Sequence, residues 1–163
     1  MQDPIITFEA RSEWYGLKAK DVGEVARLRG VRTVPRAPGV IAGLAEVHGR
    51  IITLIDLERL LDATDAGPAA GADAAGARAA EYGVVLALPF DHLGILVRNE
   101  VDVASAGADA EPRARDEATW LQGRLPIGER LLNLLSVPAL LARVERTIRA
   151  GFRPEGGDPD EER

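Results

Sequence analysis

The sequence predicts a mainly β protein, built as two small five-stranded barrels side by side with a short helix after each. Three observations carry this. The chain repeats itself: moved by 80 positions, residues 43–61 fall on 123–141 without a gap. Gly43 then meets Gly123, Arg50 meets Arg130, Leu54 meets Leu134, and Leu60-Leu61 meets Leu140-Leu141. Upstream, a move of 78 lays Gly16-Leu17 on Gly94-Ile95 and Val25-Ala26 on Val103-Ala104. Secondly, each half holds short β-branched or alternating runs bounded by Gly, Pro and charged turns, the pattern of small antiparallel barrels. Thirdly, aromatics make up only 4% of the chain, so its core must be Val, Ile and Leu.

Taken in order, residues 5–10 and 14–18 read as an antiparallel pair joined at Arg11-Ser12-Glu13. Residues 22–28 alternate, with Val22, Glu24, Ala26 and Leu28 on one face, and Gly30 ends them. A proline-set loop, Pro35 to Pro38, leads to a strand, a tight turn at His48-Gly49, and a strand at 51–55. That second strand holds three isoleucines, and its apolar side chains point both ways, so both of its faces are expected to be covered. Gly49 supplies the positive φ of the turn. Asp56 is placed to accept from the first N–H groups of a short helix carrying Leu57, Leu60 and Leu61.

Residues 62–80 differ in kind. They hold ten alanines, three glycines and a proline, and no Leu, Ile, Val or aromatic. This composition reads as a linker without a core of its own. Strands resume at 82–88, 92–97 and 100–104, and 106–118 reads as a polar, alanine-rich loop. A hairpin over 120–125 and 130–135 turns at Ile127-Gly128-Glu129. Ser136 and Pro138 open a helix whose buried stripe is Val137, Leu140, Leu141, Val144 and Ile148. The expected organisation is a first barrel half at 5–61, a linker at 62–80, a second half at 81–149, and an acidic, disordered tail at 150–163.

The stretch Pro35–x–x–Pro38, Gly43 to Gly49, the apolar strand 51–55 and Ile55-Asp56-Leu57 resembles the signature of the CheW-like domain family, the adaptors of bacterial chemoreceptor arrays. Trp14-Tyr15-Gly16-Leu17 resembles that family's E-Y-G-I strand. Within the family's G-x-x-N-L-R-G turn, Glu46 replaces Asn and His48 replaces Arg, and Thr53 stands where the strand carries a proline. The resemblance covers about 5–144. It implies two SH3-like five-stranded barrels and a non-catalytic adaptor that couples the regulatory domain of a CheA-type histidine kinase to the cytoplasmic tip of a methyl-accepting chemoreceptor. It places partner contacts at Val22, Glu24 and Gly43, and on the turn at Glu46, His48 and Gly49. The replaced arginine implies a weakened charge at that turn. The departures also fit an adaptor of a pilus, gliding or other non-flagellar pathway, and a small-molecule-binding double barrel is the reading from a different class.

Composition bounds the alternatives. A net charge of −6, with basic residues scattered among acids, argues against a nucleic-acid binder. The chain has no cysteine, hence no disulfide and no thiolate chemistry. No run approaches the ~18 apolar residues of a membrane span, and the first residues lack a basic and apolar leader pattern, so a cytoplasmic protein without membrane insertion is expected. The only histidines, His48 and His92, have no companion ligands or nucleophile at catalytic or metal spacing. No catalytic, cofactor or metal residue is expected.

Overall fold

The computed structural model of the chain describes residues 3–62, 81–106 and 121–151. Among the described residues, ten strands and two α-helices follow one another as β1 (Pro4–Ala10), β2 (Glu13–Lys18), β3 (Val22–Arg27), β4 (Ile41–Val47), β5 (Arg50–Asp56), α1 (Leu57–Asp62), β6 (Tyr82–Leu86), β7 (Leu93–Val97), β8 (Val101–Ser105), β9 (Leu121–Ile127), β10 (Arg130–Leu135) and α2 (Val137–Gly151), with a 3-10 turn at Ala19–Asp21. They form two five-stranded sheets, ordered β8-β1-β2-β10-β9 and β3-β6-β7-β5-β4. The mainly β fold is as expected. The ladders, however, are open: no pairing joins the outer strands of either sheet among the described residues.

The repeat is visible strand by strand. The 80-residue move carries β4, β5 and the start of α1 onto β9, β10 and the start of α2, and the 78-residue move carries β1, β2 and β3 onto the region of β6, β7 and β8. Both sheets therefore have the same order in equivalent strands. One expectation needs correction: the halves 5–61 and 81–149 do not each make one sheet. The hairpin β1–β2 lies between β8 and β10, and the hairpin β6–β7 lies between β3 and β5. Each half lends its first hairpin to the other half's sheet. The joins are parallel, Leu134 beside Gly16 and Leu54 beside Gly94. A parallel pair cannot be closed by a tight turn, so its strands come from distant segments.

Burial follows the pleat. On β5, Ile52 and Leu54 point into a small core within their own sheet, with Val47, Val85 and Leu96. Ile55 joins the larger core shared by both sheets, with Phe8, Leu17, Leu86, Ile95 and Leu135. Period-two alternation thus feeds two cores from one strand, as the apolar character of 51–55 suggested, although Ile51 itself is exposed. Leu132 and Leu134 play the equivalent part in the other sheet, with Ile5 and Leu125. On α2, Val137, Leu140 and Val144 are buried in the shared core, with Leu141 and Ile148 packed at its edge.

Helix entry differs between the halves. Asp56 caps α1, its Oδ1 accepting from the Arg59 N–H at 3.2 Å. At α2 the Ser136 carbonyl accepts from the Leu140 N–H at 2.8 Å, and the Ser136 hydroxyl makes no capping bond. Pro138 sets the first turn there without side-chain help. The expected linker 62–80 and the tail 150–163 fall almost wholly outside the described residues, as does most of the loop 106–118.

Tyr15 is buried in the shared core with its hydroxyl donating to Glu13 at 3.3 Å. Burial, then the charge and hydrogen bond of Glu13, push its phenol up to about 12. The unfolded chain gives up this proton near ~10, so the stability linked to Tyr15 is complete below that pH and is lost as pH rises toward 12. Phenolate absorbance of the folded protein should show one of its two tyrosines titrating late, and that late step should vanish in Tyr15→Phe. Ionisation of Tyr15 near pH 10 in the folded protein would contradict the burial described here.

Candidate functional site

Three charged residues and a histidine, from four segments, meet at one end of the β3-β6-β7-β5-β4 sheet. Glu24 comes from β3, His48 from the β4–β5 turn, Arg50 from the start of β5 and Asp91 from the β6–β7 loop. The Arg50 Nη2 donates to Glu24 Oε1 at 2.7 Å and its Nη1 donates to Asp91 Oδ2 at 3.1 Å. His48 Nε2 lies 3.2 Å from the second Glu24 oxygen. Arg50 therefore bridges two carboxylates with its planar fork, a use of arginine that lysine cannot copy.

The fold explains each position. A register slip at Gly23 sets Val22 opposite Leu86 and Glu24 opposite Val85. Beyond this bulge, Ala26 and Leu28 face the small core of the sheet, and Glu24 stands at the mouth of that core. Val22, before the bulge, packs instead on the shared core. The alternation expected for 22–28 is thus interrupted once. Arg50 lies on the same face of β5 as Ile52 and Leu54, so it too ends at the mouth. His48 and Gly49 both have positive φ, 49° and 78°, as a two-residue hairpin turn of this twist demands. The ion pairs are half-exposed, so their worth is geometric more than energetic. Around them lies an open cleft lined by Gly23, Val85, Leu86 and Leu88. Leu88 is 79% exposed, a large apolar side chain beside a charged cluster.

Of the sequence-predicted residues, the structure brings Glu24, His48 and Gly49 to one place. Glu46 is exposed but sits opposite Ile51, on the ribbon face away from Arg50. Val22 is half-buried against the shared core. Gly43 is buried and is a backbone site: it stands at the bulge of β4, with φ 149°. A Cβ there would fall well inside contact of the Arg32 carbonyl oxygen and 2.9 Å from Val31 Cγ1. Arg32 and Leu44 exchange backbone hydrogen bonds at 2.8 Å in both directions, which holds the loop against Gly43. The backbone of Arg32, and not open space, lies against Gly43 on this side.

Arg50 and Asp91 were missed. Both are charged residues next to turns, which is the ordinary look of a solvated surface. The signal available was the repeat, which aligns Arg50 with Arg130. A full positive charge reaches Glu24 from Arg50, two residues past His48.

No group of His, Cys, Asp and Glu able to hold a metal occurs among the described residues. No helix among them is long and apolar enough to cross a membrane.

The CheW-like domain model matches residues 4–145. The chain belongs to the CheW-like domain family. A curated relative, the chemotaxis protein CheW of Treponema pallidum (strain Nichols), is 31% identical over 58 residues, covering 36% of this CheW-like chain and 34% of the relative. The match thus spans about a third of that protein's length. Among solved structures, the scaffolding protein TtCheW from Thermoanaerobacter tengcongensis superposes with a TM-score of 0.63 at 20% identity, over 84% of this chain and 86% of that one. At that identity the likeness speaks for the fold.

Proposed function

We propose that this CheW-like chain is a non-catalytic adaptor that couples the regulatory domain of a CheA-type histidine kinase to the cytoplasmic tip of a chemoreceptor. The observation that carries it is the Glu24–Arg50–Asp91 bridge, with His48 on its rim, set beside the exposed Leu88 at one end of a sheet. An apolar side chain ringed by preorganised charges suits recognition of another protein surface. The kinase domain docks on this end, and the receptor tip lies along the His48 turn. The chain works by holding two partners at fixed distance, beneath the membrane where receptor arrays stand.

The test is calorimetric titration of the purified chain with the purified regulatory domain and, separately, with a receptor-tip fragment. Arg50→Glu should keep cooperative melting and weaken kinase binding ten- to a hundredfold, the value of one or two charge-assisted hydrogen bonds lost at a contact. Glu46→Gln, on the opposite face, should leave that affinity unchanged. Equal affinity for wild type and Arg50→Glu would remove the cluster from the kinase contact. Absence of binding by the wild-type chain to both partners would sink the adaptor reading.

A further inference from the structure

The two ends of the molecule follow one plan and differ in how the arginine is held. By the shifts of the repeat, Arg130 stands where Arg50 stands, Asp102 where Glu24 stands, and Glu13 where Asp91 stands. Arg50 gives its guanidinium to both of its carboxylates. Arg130 has neither. Asp102 Oδ1 accepts from the Val103 N–H at 2.8 Å. Glu13 Oε2 accepts from the Tyr15 hydroxyl at 3.3 Å and from the Asn133 amide at 3.2 Å. The Arg130 guanidinium instead lies over the Trp14 ring, 4.0 Å from its centroid. Among the described residues it forms no ion pair. Stacking fixes the plane of the cation and leaves its N–H edges open. It borders an open cavity of about 410 Å³, with Thr7, Asp102, Ala104, Ile127 and Glu129 on the walls.

We propose that this end of the molecule is a docking site for a carboxylate side chain of a partner protein, which pairs with Arg130 over Trp14 and takes the place that Glu24 and Asp91 fill at the other end. The guanidinium fork matches a carboxylate in shape, and the ring beneath it limits the entropy lost on pairing. The source is a protein and not a free anion for an electrostatic reason. Asp102 and Glu129 line the same cavity, so their charges offset that of Arg130 at range and draw in no small anion. The acid must be delivered by a body that gains contact elsewhere, here on Trp14, Ala104 and Ile127. The inference stands on the geometry of this end alone and does not depend on the kinase or the receptor.

Trp14 can report on its own site. The chain has two tryptophans, so Trp120→Phe leaves Trp14 as the sole emitter. In that background the probes are acetyl-Gly-Leu-Glu-Leu-Gly-amide, the same peptide with Gln for Glu, and sodium acetate. The Glu peptide should change Trp14 emission saturably, the Gln peptide should bind at least tenfold more weakly, and acetate should produce no saturable change. Arg130→Gln, an exposed position, should reduce the Glu peptide to the level of the Gln peptide with melting unchanged. Equal binding of the two peptides, or full binding by Arg130→Gln, would overturn the proposal. Saturation by acetate would also overturn it, in favour of a small-anion site. So would silence toward the Glu peptide.

Discussion

Gly43→Ala should lower the unfolding free energy by about 2–6 kcal/mol. Two costs add. The φ of 149° is one that L side chains rarely adopt, and strain of this kind costs about 1–3 kcal/mol. The new methyl would also drive into the Arg32 carbonyl, which is fixed by its two bonds to Leu44, and forced repacking adds about 1–3 kcal/mol. Against a typical total of about 5–15 kcal/mol this is severe. The control is Gly49→Ala. Gly49 has φ 78° but nothing within 4 Å of a built Cβ, so only the left-handed penalty of about 1–2 kcal/mol applies. Urea melts of both variants measure the difference. A Gly43→Ala protein within 1 kcal/mol of wild type would mean that the Arg32 loop moves aside freely.

Asp56→Ala should cost about 2–4 kcal/mol. Asp56 is only 3% exposed and has two duties. One oxygen caps α1 through the Arg59 N–H, and the other accepts from Arg98 Nη2 at 3.0 Å. A lost cap costs about 1 kcal/mol, and a charge-assisted hydrogen bond about 1.5–3 kcal/mol. Burial works against the Arg98 charge, yet the hydrogen bond and charge of Asp56, aided by Glu58 and Glu81, outweigh it and raise its pKa. Arg98 also donates to Glu58 at 3.1 Å and can swing into water, which limits the loss. Asp56→Asn keeps an acceptor for the cap and should cost about half as much. Ser136→Ala, at the equivalent place before α2, should cost under about 0.5 kcal/mol, since its hydroxyl caps nothing. Chemical denaturation of the three variants gives the ranking, and a double-mutant cycle with Arg98→Gln isolates the pair. Equal losses at Asp56 and Ser136 would refute the asymmetry.

These two residues show what was legible in the amino-acid sequence. The cap at Asp56 followed from its place before Leu57, and Gly43 was singled out by its match to a partner-contact position of the family. What lies against Gly43 was not legible, because a lone glycine in a strand looks the same whether backbone or partner lies against it. Strand positions were readable from alternation, to within a residue or two. The sheet that each hairpin joins was not. Pairing of β2 with β10 is decided by which buried faces meet across more than a hundred residues, and local pattern carries no such information. Glu24 and His48 were found through a motif. Arg50 and Asp91 look like ordinary surface charge until the fold sets them around Glu24.

The exchange of first hairpins also has a consequence in time. A ribosome delivers β1 to β5 first, and neither sheet can be completed from them. The β4–β5 hairpin waits for β7 to lie beside it, and β1–β2 waits for β8 and β10. The nascent chain must hold two unfinished edges open until its second half emerges. A gene cut between the halves would then yield two fragments that fold only when made together, each the other's missing strands.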